Sequence, residues 1–367
     1  MARRLKKIAA FLQATIARGI HFWRGAWWHK AIAIVIAAII ILFGAMFGIA
    51  KWYVWSERNQ PLVLGASFVP DYASYLGVDP HATFTAMLDD LHIRHFRLVS
   101  YWSDIERSRG TDDFSELDWE FSQAAARGAK ITLAIGLRQP RWPECHMPDW
   151  ATSEPKSVWQ PQLEQFMTTV IDRYKGNPAL ESYQLENEYF LTAFATCADE
   201  SRSRLVEEAA LVRKLDPSHT LIISRSQNAV GWPVGQPHAD EYGISIYRRV
   251  WTPLFGGRYI DYPFPAWYYS FLAGAEKLWS GKDTIIHELQ AEPWTPHGAL
   301  INTTSLAEQN KSFNADRLKG MVDFGKATGM RSMDLWGAEY WYYRMVKLHD
   351  TSVWNAARQE FADNAGH

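Results

Sequence analysis

The stretch Leu180-Glu181-Ser182-Tyr183-Gln184-Leu185-Glu186-Asn187-Glu188-Tyr189-Phe190 decides how the chain is read. It opens as a short strand-like run and closes on two adjacent polar residues, Asn187 and Glu188. Farther along, Thr284-Ile285-Ile286-His287 is a second strand-like run, and it closes on Glu288. The expectation is two carboxylates at the C-terminal tips of two parallel strands. Counting alternate positions back from Glu288 puts Ile286 and Thr284 on the same strand face.

Working outward, short apolar runs alternate with amphipathic segments. The runs are Leu62–Phe68, His95–Tyr101, Lys130–Gly136, Glu181–Leu185, Thr220–Ser224, Tyr242–Tyr247, Thr284–His287 and Ser332–Trp336. They are too apolar for one-sided antiparallel strands. Helical patterns fall at His81–Leu91, Ser115–Arg127, Gln160–Tyr174, Ser203–Lys214, Ala266–Trp279, Ser305–Thr328 and Val353–Asp363. The crossover Gln227–Glu241 is poor in helix signals and reads as irregular. Eight strands alternating with helices predict an α/β fold, a (β/α)8 barrel over residues 62–367. A doubly wound open sheet would advertise a Gly-rich phosphate loop after its first strand, and Leu64-Gly65-Ala66-Ser67-Phe68 is not one. In a barrel, the chemistry belongs on the face where strands end.

The N-terminus needs a separate account. Residues 1–30 hold seven Lys/Arg and no acid; the remainder carries 31 basic against 40 acidic residues, a balance of −9. That balance excludes nucleic acid as a partner of the main body. Residues 31–50 are uncharged and rich in Ile and Ala, which predicts a transmembrane helix. A buried core helix and a cleaved signal peptide are the alternatives; the long basic lead and long apolar run fit the second poorly. The positive lead places the N-terminus in the cytoplasm, with a connector at 51–61 and the barrel outside the cytoplasmic membrane. Trp23, Trp27 and Trp28, then Trp52, Tyr53 and Trp55, flank the span as an interfacial belt would.

Other residues gather at the predicted strand ends. Arg97 lies among apolar neighbours, which is costly unless it meets an anion. Tyr247 ends the sixth run and can donate to a carboxylate. Trp336 and Glu339 stand at and just beyond the end of the eighth. Glu292 competes with Glu288, but belongs to the loop before Pro293. Glu186 reads as the ion-pair partner of an arginine. Cys145 and Cys197 follow consecutive strands, so their loops are neighbours in a barrel; a disulfide and two free thiols both remain open. No metal-ligand spacing and no cofactor motif appears.

The run Tyr183-Gln184-Leu185-Glu186-Asn187-Glu188, with Glu288 on the seventh strand, resembles the (β/α)8 clan of retaining glycoside hydrolases that includes cellulases, β-mannanases and β-galactosidases. The resemblance covers residues 62–360. It implies Glu188 as general acid/base and Glu288 as nucleophile. Asn187 would bind the sugar's 2-hydroxyl, Arg97 and Tyr247 would orient Glu288, and Trp336 would floor the sugar subsite. Two positions depart from the clan: Tyr189 stands where Pro is usual, and Ser245 where many members have His. Trp142 and Glu339 are further candidates for the carbohydrate groove, with Arg138, Pro140, Arg141 and Trp232. Arg138, Arg141, Arg225 and Arg248 would lend it positive charge, unless they are ordinary surface arginines. The expected partners are a β-linked oligo- or polysaccharide and, through residues 31–50, a lipid bilayer. A non-catalytic glycan-binding barrel is the rival reading.

Overall fold

The computed structural model describes residues 27–191, 197–225 and 237–364, with residues 10, 13–15, 17 and 18 before them. Ten strands occur among these: β1 Val63–Ser67, β2 His95–Val99, β3 Lys130–Ile135, β4 Leu180–Leu185, β5 Thr220–Ser224, β6 Glu241–Ile246, β7 Arg249–Thr252, β8 Arg258–Asp261, β9 Asp283–Gln290 and β10 Ser332–Trp336. Eight of them close into a parallel barrel in the order β1-β10-β9-β6-β5-β4-β3-β2, with helices packed outside. The (β/α)8 architecture is as the alternation predicts. The apolar face of each strand meets the helix layer, forming one contiguous core.

β7 and β8 were not among the expected strands. They form an antiparallel hairpin after β6, turning through Gly256 and Gly257 at φ +84° and +76°. Side chains resist that left-handed region, so two glycines make the tip. The long helical pattern at 305–328 is two helices, Leu306–Ser312 and Ala315–Ala327. The break falls where the Asn314 side chain accepts from the Arg317 N–H at 3.0 Å, capping a new helix. Most of the crossover 227–241, and Trp232 with it, lies outside the described residues.

The lower barrel interior is polar and closely fitted. His95 contacts Asp334 at 2.9 Å and Glu181 at 2.8 Å, and Thr132 meets Ser182 at 2.7 Å. Gly65 admits this pair: a Cβ there would stand 2.2 Å from Asp334 Oδ1. Burial by itself would lower the His95 pKa, but Asp334 and Glu181 raise it to about 10.

The apolar N-terminal segment is one helix, Trp27–Glu57, long and apolar enough to cross a membrane. It continues into the expected 51–61 connector, which is therefore helical through Glu57. Tyr53 is buried against the helix Ala266–Ser280 and so is not available to an interfacial belt. Trp23 and most of residues 1–26 lie outside the described residues.

Candidate active site

The site grows from the ends of β2, β4, β6, β9 and β10. Arg97 on β2 is buried and spends its whole fork inside the barrel. Nε donates to Gln184 Oε1 at 2.5 Å, Nη1 to Glu288 Oε1 at 3.0 Å and to the His287 carbonyl at 3.1 Å, and Nη2 to Asn187 Oδ1 at 2.8 Å. The Arg97–Asn187 bond fixes the amide: a guanidinium can only donate, so the oxygen must face it.

Glu288 accepts from Arg97 on one oxygen and from the Tyr247 hydroxyl, at 2.7 Å, on the other. Burial, then the Glu288 charge, pushes the Tyr247 hydroxyl well above the ordinary tyrosine range, so it remains a donor. Both sequence-assigned partners thus meet the carboxylate.

The reason Glu288 points inward differs from simple alternation. β9 runs two residues past it, to Gln290, and its register against β6 slips: Ile244 pairs with Ile286, while Ser245 pairs with Glu288. The extra residue, His287, makes a bulge, and a bulge re-aims side chains. His287 and Glu288 therefore both face the barrel interior. Ile286, expected beside Glu288, is fully buried and belongs to the apolar core.

His287 is the residue the sequence reading missed. A Cβ on Gly243 would lie 2.9 Å from its ring, so the ring's space exists because position 243 is glycine. Nδ1 lies 3.3 Å from Gln184 Oε1 and Nε2 lies 3.2 Å from Ser224 Oγ. Gln184 offers an oxygen, so Nδ1 carries the proton and Nε2 accepts from Ser224. Burial, then Arg97, holds the His287 pKa well below its ordinary value, and the ring is neutral. Ser224 Oγ in turn accepts the Glu188 N–H at 3.1 Å.

Glu188 is buried, at φ +41°, just beyond β4. Ser245 Oγ donates to its Oε1 at 2.8 Å. Ser245, where a histidine was looked for, serves Glu188 while His287 sits behind it on the next strand. Glu186 is structural, as its reading implied. It accepts from the Leu137 and Arg138 N–H groups at 2.7 and 2.9 Å and from Arg204 at 2.9 Å, tying the loops after β3 and β4 together.

Glu292 belongs to a neighbouring cluster. It accepts from Arg141 at 2.8 Å and from Tyr72 at 2.7 Å, and Arg141 lies over the rings of Tyr72 and Trp336, 3.5 and 4.3 Å from their centroids. Trp336 is thereby stacked under a cation at the site's edge. Glu339, expected at the rim, is fully buried; it accepts the Val69 N–H at 2.5 Å. Burial pushes its carboxyl up to about 7, partly offset by Arg141.

Trp142 projects into solvent, 77 % exposed. Of the four arginines expected to lend the groove charge, Arg141 alone lies beside Trp336, paired with Glu292; the other three are engaged elsewhere. Arg138 is buried against Glu144 and the Leu191 carbonyl, Arg225 pairs with Glu276 over Tyr242, and Arg248 lies over Phe324. Each has an internal task. Cys145 and Cys197 form a disulfide between the loops after β3 and β4, with Cα atoms 5.4 Å apart.

No protein-family model matches the sequence, and no curated protein does. Solved structures match in shape. An exo-β-1,4-mannosidase from Opitutaceae bacterium strain TAV5 superposes with a TM-score of 0.53 at 14 % identity, over 83 % of this chain and 59 % of that one. A β-galactosidase from the haloarchaeon Halorubrum lacusprofundi gives 0.51 at 12 %, over 82 % and 58 %. A GH42 β-galactosidase gives 0.51 at 11 %, over 83 % and 56 %. What they share is the (β/α)8 barrel. The chain spans less than two thirds of the length of each of these three proteins, and all three bear the names of glycosidases.

Proposed function

We propose that this protein is a membrane-anchored retaining glycoside hydrolase of β-linked glycosides. One observation carries the reading. Ser245 hydrogen-bonds Glu188 and is the cross-strand partner of Glu288, so both acids share one mouth at the strand ends. There, Glu288 is an acceptor on both oxygens, clamped by a cation and a phenol. That is the state a nucleophile requires. Glu188 receives a neutral hydroxyl donor in a buried setting, which suits a group that must alternately hold and release a proton.

In this mechanism the Glu188 proton passes to the glycosidic oxygen as that oxygen leaves the anomeric carbon. A Glu288 oxygen bonds to the anomeric carbon in its place. Glu188 then takes a proton from water, whose oxygen displaces Glu288, and the configuration is retained. An acceptor sugar in place of water gives transglycosylation. Asn187, its oxygen held by Arg97, turns its N–H donors elsewhere, in keeping with a role at the 2-hydroxyl. Trp336 would offer the sugar an apolar face. The helix Trp27–Glu57 supports the anchor, and the basic lead supports a cytoplasmic N-terminus with the barrel outside.

The test is turnover of aryl β-glycosides and envelope polysaccharides by wild type, Glu288→Gln and Glu292→Gln, with the anomer of the released sugar followed. Expected are retention by wild type and Glu292→Gln, and loss of at least about a thousandfold in Glu288→Gln. Full activity in Glu288→Gln with loss in Glu292→Gln would exchange the two acids. Binding without turnover by wild type would favour a glycan-binding barrel.

A further inference from the structure

We infer that the catalytic face of the barrel is turned toward the bilayer entered by the apolar helix, and that the enzyme takes a β-glycoside carried on a lipid. This rests on the glycosidase and anchor readings above.

The direction comes from the helix Ala266–Ser280. It follows the β7–β8 hairpin, beyond the C-terminal end of β6, and leads into the N-terminal end of β9. It therefore runs from the catalytic face to the opposite face. The N-terminal helix lies alongside it and points the same way. The rings of Phe47 and Trp267 are 5.9 Å apart; Gly274 lies against Ile49 and Tyr53; Glu57 bonds Lys277 at 2.7 Å. The Glu57 carbonyl also accepts from Arg331, just before β10, at 2.8 Å, which fixes that end to the opposite face. Traced backwards, the helix passes the level of Trp267 and leaves the barrel on its catalytic side. The free part, Trp27 to Phe47, rises about 30 Å at 1.5 Å per residue, one hydrocarbon core.

The loops on that side are suited to a lipid surface. Trp142 after β3, Phe190 after β4, Leu254 in the hairpin and Leu300 after β9 are each exposed. Large apolar side chains on the rim of a face that meets a membrane insert at the headgroup level. Exposure alone does not choose the face, because Leu278 and Trp279 at the other end are also exposed. The helix direction chooses it. A mouth facing the membrane admits sugars presented from the bilayer plane more readily than a polymer in bulk solution. The substrate class follows: a glycoside whose aglycone is held in the bilayer.

The experiment uses the full chain in phosphatidylcholine/phosphatidylglycerol vesicles. Nitroxide labels go singly on Leu254→Cys, Leu300→Cys and Leu278→Cys, the native cysteines being paired. Labels at 254 and 300 should relax with lipid-dissolved oxygen and be shielded from an aqueous nickel chelate; the label at 278 should do the reverse. Lipid contact at 278 with aqueous exposure at 254 and 300, or aqueous exposure at all three, would overturn the orientation. In the same vesicles, β-glycosylceramides and β-glycosyl diacylglycerols should be cleaved at least tenfold more efficiently than soluble aryl glycosides of the same sugars. Equal or reversed preference would overturn the substrate class. Failure of the chain to float with vesicles defeats the anchor reading instead, and failure to cleave either kind of glycoside defeats the glycosidase reading; the inference falls with either.

Discussion

Arg97→Met tests the electrostatic centre of the site. The guanidinium donates to four acceptors, one of them the Glu288 carboxylate. Gln184 and Asn187 can repair part of the loss by rotating, but Glu288 retains only the Tyr247 hydroxyl among these donors. Removing one partner of a buried ion pair leaves the other charge uncompensated, at about 3–5 kcal/mol. With a melting entropy of about 2 cal/mol/K per residue over a domain of roughly 300 residues, the midpoint should fall by roughly 5–8 °C. The decisive assay is a double-mutant cycle read by thermal unfolding of the full chain in detergent. In a Glu288→Gln background no charge is stranded, so Arg97→Met should cost less, with a coupling of at least about 1.5 kcal/mol. Additive midpoints would refute the pairing, and with it the account of how Glu288 is held.

Three further outcomes are expected. Gly243→Ala should lower the midpoint by roughly 2–5 °C, at an overpacking cost of about 1–3 kcal/mol, because His287 is held by Gln184 and Ser224 and cannot yield; Gly176→Ala, which meets nothing within 4 Å, should not, and equal effects would refute the fit. Glu339 sits at about 7 when folded against an ordinary 4.5, so ionisation opposes folding increasingly as pH rises from 4.5 through 7 and is constant above. Glu339→Gln should therefore gain stability relative to wild type by roughly 3 kcal/mol between pH 4 and pH 8; a pH-independent difference in denaturant midpoints would refute it. Cys145→Ser should cost about 4 kcal/mol by loop-closure entropy across the 52-residue separation, read as a lower urea midpoint that reduction of wild type reproduces.

Much of this was open to reading in the chain itself. The alternation of apolar runs and amphipathic segments determined the barrel, because period and run length reflect which faces must be buried. The buried-charge argument located Arg97 and its need for an anion, and strand ends located Glu188, Asn187 and Tyr247. The long apolar helix was equally plain, since an uncharged run long enough to cross a hydrocarbon core is a local signature. What sequence could not supply depended on contacts between strands. The bulge at His287 is a register relation between β9 and β6, and without it alternation turns Glu288 to the wrong face. His287 found its place only through a glycine on the neighbouring strand. Arg138 and Arg225, read as groove or ordinary surface arginines, proved to have internal partners, and Glu339, read at the rim, proved buried with its carboxylate on the Val69 N–H. The direction in which the apolar helix leaves the barrel was likewise settled by side chains more than two hundred residues apart in sequence. Local periodicity is written residue by residue, whereas register, partnership and orientation exist only once distant segments pack.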